Sequence, residues 1–267
     1  MRRLGRLLGA AALLAGVALA QAAERKYGPG VSDTEIKIGQ TMPYSGPLSS
    51  AGIIGRTELA YFRMLNEQGG INGRRVVLIS LDDGYSPPKT LEQTRRLIEQ
   101  EQVLALMGSY GTPTNAAVQK YLTAHKVPQL FIQAGASRWN DPAHFPWTTP
   151  MVPSIRSEAK AHGAYILRSN PTARVAVLYQ DDDFGKDYVD GLLERFGAQA
   201  SRRIAAMASY QTTDPTIDSQ IFALQASGAD TLLLAATPKF TAQAIRKTFD
   251  IGWHPTRFVV YVSTSVA

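Results

Sequence analysis

The chain of 267 residues contains no cysteine. That absence excludes disulfides, zinc–thiolate centres, cysteine nucleophiles and attachment through a lipidated N-terminal cysteine. A chain this long buries enough core to fold without cross-links. Histidine is scarce too: the four are His125, His144, His162 and His254, and none stands in an H-E-x-x-H or comparable spacing. Each reads as a surface or helix-end residue, and no metal is expected. Runs of five or six like charges are missing, so a nucleic-acid partner has no support. There is no G-x-G-x-x-G turn and no phosphate-binding loop; Gly28-Pro29-Gly30 precedes the first strand and is not a dinucleotide turn. Ser109 sits in Gly108-Ser109-Tyr110-Gly111, which departs from the G-x-S-x-G nucleophile elbow. No catalytic constellation remains, and no cofactor is expected.

Long hydrophobic runs are also lacking. The apolar stretch from Leu7 to Leu19 has 13 residues, short of the roughly 20 needed to cross a bilayer. Arg2, Arg3 and Arg6 precede it, and Ala18, Ala20, Ala22 and Ala23 close it. This is the pattern of a cleavable secretory signal peptide over residues 1–23, cut after Ala20, Ala22 or Ala23. An uncleaved anchor helix is disfavoured by the same length argument. The expected location is the periplasm, without a lipid anchor. Removing the three arginines of the signal segment from a net charge of +6 leaves +3.

What is present is alternation. Strands are read at Ile36–Met42, Arg75–Leu81, Val103–Met107, Pro128–Ile132, Arg174–Tyr179, Ile204–Ala208, Thr231–Leu234 and Phe258–Val262. Between them, helical periodicity covers Gly55–Gln68, Pro87–Glu101, Thr112–His125, Ser154–Ser169, Phe184–Phe196, Pro215–Ser227 and Phe240–Phe249. Strands alternating with helices of ten or more residues predict an α/β fold with parallel sheets. The strands are almost wholly apolar, as sheets covered on both faces require. Right-handed crossovers then give two doubly wound lobes. The stretch from Trp139 to Pro153 has four prolines and no periodicity and is read as a loop. It divides a first lobe over residues 33–150 from a second over residues 151–262.

Ligands of such sheets bind beyond the strand C-terminal ends, where helix N-termini offer free N–H groups. Tyr110 and Tyr85 follow neighbouring strands and either face a cleft or pack beneath their loops; Tyr110 is carried as a ligand candidate and Tyr85 carries less weight. Trp139 and Trp147 either line a cleft entrance or pack the lobe. Asp82 and Asp83 are read as helix-capping and hinge-side residues rather than an acid–base pair. Asp181, Asp182 and Asp183 lack a cation-loop spacing and are read as a solvated turn that positions Phe184.

Several of these loops carry a resemblance. Pro43-Tyr44-Ser45-Gly46-Pro47, Asn66-Glu67-Gln68-Gly69-Gly70-Ile71-Asn72-Gly73, Asp82-Asp83, Gly108-Ser109-Tyr110-Gly111-Thr112, Gly135-Ala136-Ser137 and Asp183-Phe184-Gly185 follow one another in order. The set resembles the leucine/isoleucine/valine-binding proteins of ABC transporters, which have the type I periplasmic binding protein fold. The resemblance implies two α/β lobes joined by a hinge, closing on a small solute that is then handed to a membrane permease with its ATPase subunits. It implies a monomer and no chemistry. It assigns a ligand carboxylate to Thr112, backbone contacts to Ala134 and Ala136 in the loop that also holds Gly135 and Ser137, an aromatic contact from the second lobe to Phe184, and a further contact to Thr237. The amino-acid binders have an aromatic where this chain has Ala51, and an acidic residue for the ligand ammonium beyond the strand near Val262, where Ser263-Thr264-Ser265 offers only hydroxyls. An amino acid, an amide and an aromatic or aliphatic acid all stay open as ligands. A receptor-directed sensor and an exported α/β enzyme are the competing functions. The family's chains run past the point matching Ala267, so the first lobe is expected to be incomplete at the C-terminal end, with part of its apolar face uncovered.

Overall fold

A computed structural model describes residues 27–264; the signal segment read over residues 1–23 lies outside them. In the first half, β1 (Glu35–Met42), α1 (Gly52–Glu67), β2 (Arg75–Asp82), α2 (Pro87–Arg95), β3 (Ala105–Met107), α3 (Thr112–Ala124), β4 (Gln129–Ile132) and β5 (Thr148–Pro150) follow in order. The five strands form one parallel sheet ordered β2-β1-β3-β4-β5. In the second half come α4 (Ile155–Ser169), β6 (Val175–Gln180), α5 (Asp183–Phe196), β7 (Ile204–Tyr210), α6 (Asp218–Ala226), β8 (Thr231–Ala235), α7 (Pro238–Asp250) and β9 (Thr256–Val259), with a single helical turn at Ala200–Arg203. These strands form a second parallel sheet ordered β7-β6-β8-β9. The fold is therefore α/β with two doubly wound parallel sheets. In each sheet the order reverses beside the first strand, β1 and β6, which sets a crevice at its C-terminal end.

The second sheet follows its sequence closely. Ala176, Leu178, Leu232 and Leu234 face α6 and α7, while Val175, Val177, Leu233 and Ala235 face α4 and α5. Alternate residues point to opposite faces, and both faces are covered, so β8 is buried throughout. In the first sheet, Leu106 packs with Leu97, Val118 and Leu122 from the α2 and α3 side. Ile38, Val76 and Leu78 meet Leu59, Phe62 and Leu65 of α1 on the other side.

Four expectations change. The segment read as a loop before Pro153 contains strand β5 and a helical turn at Ser137–Trp139. The helix read to Glu101 ends as α2 at Arg95 and continues as one wider π turn, Arg96–Gln100. The last strand ends at Val259, and Tyr261–Ser263 turns instead of extending to Val262. His162 is not at a surface or helix end: it lies mid-α4, half-buried, bonded to the Tyr188 hydroxyl and packed against Phe258.

Candidate functional site

The two lobes meet where both sheets end. A cavity of about 20 Å³ lies between them. From the first lobe it is walled by Leu48, Tyr85, Tyr110 and Thr112, and by the Gln133-Ala134-Gly135 loop. From the second lobe come Phe184, Thr237, Tyr261 and Val262. Tyr110, Thr112, Ala134, Gly135, Phe184 and Thr237, all singled out from the sequence, are thus brought together.

Local bonding explains why these loops converge. The loop after β3 is stitched to its neighbours: Tyr110 N donates to Thr41 O at 3.3 Å and Gly111 N to Gln133 O at 3.1 Å. The Asn115 amide reaches back to Gly111 O and Ser109 O at 2.7 and 3.0 Å. Thr114 Oγ1 donates to Tyr110 O at 2.5 Å. Ser109, weighed as a nucleophile, uses its hydroxyl to accept from Thr41 N at 3.1 Å. Gly111 has φ +97, and a Cβ there would lie 2.4 Å from Tyr85 Cε2, so glycine alone fits the approach. Helix α3 then begins at Thr112 with no side-chain cap and with Pro113 in its first turn. Helix α7 begins the same way after Thr237.

Tyr85 enters the wall for a reason no periodicity reveals. Its φ is +59, a left-handed conformation uncommon for a non-glycine residue. The buried Asp83 carboxylate holds it by accepting from Tyr85 N at 2.9 Å, and Thr90 Oγ1 donates to the same carboxylate at 3.0 Å. Asp82 instead ties the Ser45 loop and Lys89. Neither aspartate caps α2, whose N-cap, Ser86, makes no side-chain bond; both brace loops, which corrects the capping role. The Tyr85 hydroxyl accepts from Gln180 Nε2 across the lobes at 3.4 Å, and Tyr210 Oη donates to Gln180 Oε1 at 3.2 Å. Thr237 N donates to Tyr210 Oη at 2.9 Å, closing the chain of contacts.

The wall is electrically neutral. Burial pushes the Tyr110 hydroxyl up to about 12 and raises those of Tyr85 and Tyr261 well above the ordinary phenol range, so all three stay protonated. Asp182 lies behind Phe184, accepting from Phe184 N and Gly185 N at 2.9 and 3.3 Å as the N-cap of α5, and from Gln180 Nε2 at 2.5 Å. Burial raises its proton affinity. This carboxylate is half-buried and caps α5, which corrects the solvated-turn reading for Asp182, while Asp181 pairs with Lys186 and the exposed Asp183 with Arg138.

Ala136 and Ser137 lie elsewhere. They border a separate charged groove with Arg138, Arg156, Lys186 and Asp187. Ser137 gives both its donors to Asp187: N at 2.8 Å and Oγ at 2.5 Å. Arg156 Nε holds the same carboxylate at 2.8 Å. Ser137 is therefore an interlobe tie rather than part of the cavity. Trp139 packs inside the lobe against Ile132, Ala134 and Ala136, and Trp147 is exposed. Leu48, Gln133, Tyr261 and Val262 were not singled out as site residues. Leu48 had one signal, an apolar residue buried in an otherwise polar loop.

Comparison with known proteins agrees with this architecture. The chain is 25% identical over 260 residues to the Leu/Ile/Val-binding protein homolog 7 of Brucella melitensis, covering 94% of this chain and 62% of that protein. It superposes on a substrate-binding periplasmic protein from Ralstonia solanacearum with a TM-score of 0.77 and 26% identity, covering 85% of this chain and 64% of the other. A fatty acid ABC transporter substrate-binding protein from Thermomonospora curvata has the same fold, with a TM-score of 0.78, 20% identity, and 90% and 61% coverage. The chain thus spans less than two thirds of the length of these relatives. The model of the periplasmic binding protein family matches residues 35–267, and the chain belongs to that family.

Proposed function

We propose that this chain is the extracytoplasmic solute-binding component of an ABC importer, and that the interlobe cavity is its ligand site. The observation that carries the reading is the convergence of both lobes on one small pocket at their sheet ends, lined by uncharged residues. Family membership supports binding rather than catalysis, and the basic, apolar, small-residue N-terminus supports export to the periplasm. The ligand is a small carboxylate-bearing solute. Thr112 and the α3 N-terminus receive the carboxylate; Tyr110, Ala134, Gly135, Phe184 and Thr237 surround the rest. One relative is named a Leu/Ile/Val-binding protein homolog and another a fatty acid ABC transporter substrate-binding protein, so the fold alone does not choose among carboxylates. Closure works by preferential affinity of the solute for the closed arrangement. A permease and its ATPase subunits take the loaded protein.

Mass spectrometry of small molecules released by denaturing the purified protein tests this reading. A single carboxylate present with the wild type and absent from Thr112→Ala is the expected result. Release of no solute, or equal release from Thr112→Ala, overturns the assignment.

A further inference from the structure

The two lobes touch one another more than they surround a space. The cavity between them measures about 20 Å³, room for about one water molecule. Its walls are nearly in contact, so the polar bonds that cross from lobe to lobe bear directly on how the lobes stand. The charged crossings lie together, beside the cavity and not in its wall. Asp187 of α5 accepts from Ser137 N at 2.8 Å and from Ser137 Oγ at 2.5 Å. Arg138, on the same first-lobe turn, pairs with Asp183 of α5. None of Ser137, Arg138, Asp183 and Asp187 lines the cavity.

Each half of this cluster is held in place by its own lobe. In the first lobe the Arg138 guanidinium lies over the buried Trp139 ring, 5.3 Å from its centroid, and Nη2 donates to Gln119 Oε1 of α3 at 3.3 Å. In the second, Arg156 Nε of α4 holds the Asp187 carboxylate at 2.8 Å, while its two Nη atoms reach Asp190 and Glu194 of α5 at 3.1 and 2.6 Å. Side chains fixed beforehand lose little freedom when they meet, which is what makes most surface ion pairs weak. Asp187 is almost fully buried, and two of its three donors come from the other lobe. Parting the lobes takes both away from it. Close by, where the chain crosses between lobes, Ile155 N donates to Gly135 O at 2.8 Å.

We propose that Ser137 and Arg138 of the first lobe, with Asp183 and Asp187 of the second, form a clasp that keeps the lobes closed by itself, without help from a solute. The clasp does not depend on what the cavity binds. On the solute-binding reading it has one consequence: a solute that prefers the closed arrangement binds more tightly by the factor through which the clasp populates that arrangement.

The chain has no cysteine, so a spin-label pair is readily placed at Lys120→Cys on α3 and Ser219→Cys on α6, both exposed positions. Double electron–electron resonance on the full chain, passed through guanidinium and dialysed to strip any solute, reads the distance between the lobes, and circular dichroism verifies refolding. The otherwise unaltered protein gives one narrow, short distance. Asp187→Ala and the paired change Ser137→Ala with Arg138→Gln each move the open-to-closed ratio by about tenfold or more toward a longer distance. The two routes remove the clasp from opposite lobes, and Asp187→Ala leaves Arg156 its bonds to Asp190 and Glu194. Lys160→Ala removes an ion pair with Glu194 inside the second lobe and leaves the distance unchanged. Clasp variants whose distances match those of the unaltered protein overturn the proposal, as does a shift in Lys160→Ala as large as theirs. Neither result touches the solute-binding reading, which stands or falls on the released solute.

Discussion

The two lobes share one architecture but are covered differently. In the second, helices lie on both faces of the sheet, and its strands β6 and β8 are almost wholly buried. In the first, α2 and α3 cover one face while only α1 packs on the other among the described residues, and β2 is mostly half-buried. Leu104 and Phe131 remain exposed there. A groove of about 510 Å³ runs along α1 and the edge strand β2. Apolar burial is the main favourable term in folding, so the second lobe is expected to be the more stable. The first lobe supplies Tyr110, Thr112 and the Gln133-Ala134-Gly135 side of the cavity from a less covered sheet.

Equivalent deletions in the two sheets should have unequal effects. Leu234→Ala, at a position with no exposure, costs about 4 kcal/mol, near the upper part of the range for buried leucines. Leu78→Ala, 8% exposed in the first sheet, costs about 2 kcal/mol. Urea unfolding followed by circular dichroism measures both, and equal losses break the comparison.

The next effect lies between the lobes. Asp187 is 6% exposed and joins Ser137 of the first lobe to Arg156 of the second. Asp187→Ala leaves Arg156 and two Ser137 donors without that acceptor and lowers the melting free energy by about 3 kcal/mol. A calorimetric scan should also show the lobes unfolding more independently than in the wild type.

Within the first lobe, Gly111→Ala puts a Cβ against Tyr85 and a strained φ on alanine. The loss is about 2 kcal/mol in stability, with weakened solute binding read by calorimetry, while the second lobe's unfolding is unchanged. The smallest effect is a pH dependence seated in the second lobe. Burial raises Glu158 from 4.5 to about 6. The folded state then holds a proton that the unfolded state has released between about 4.5 and 6, so stability falls as pH rises through that window and is flat above it. Partial exposure screens the effect to below about 1 kcal/mol. Glu158→Gln abolishes this slope in melting temperature measured from pH 4 to 7.

The difference between the lobes also governs what was legible in the sequence. Leu178 and Leu232 to Leu234 announce covered strands because every residue in them is apolar. Strand β5 stayed hidden because Thr148-Thr149-Pro150 is short, polar and proline-bounded, and is held through its pairing with β4. The turn at Tyr261–Ser263 was missed because Val259-Val260-Tyr261-Val262 reads as one strand, although Glu158, over a hundred residues earlier, draws Tyr261 N out of the ladder. Loop motifs singled out Thr112 and Phe184, which the fold brings to one cavity. They misled at Ser137, whose donors are taken by Asp187, a partner fifty residues away. Tyr85 depends on a positive φ, which side-chain patterns do not encode.

The central claim is that one solute is held by both lobes at once. Its most direct test is calorimetric titration of the protein's own released solute into wild type, Thr112→Val and Phe184→Ala, with circular dichroism to verify folding. Both variants should lose at least about tenfold in affinity, since each removes a contact from a different lobe. Undiminished affinity in either folded variant would contradict a site shared between the lobes.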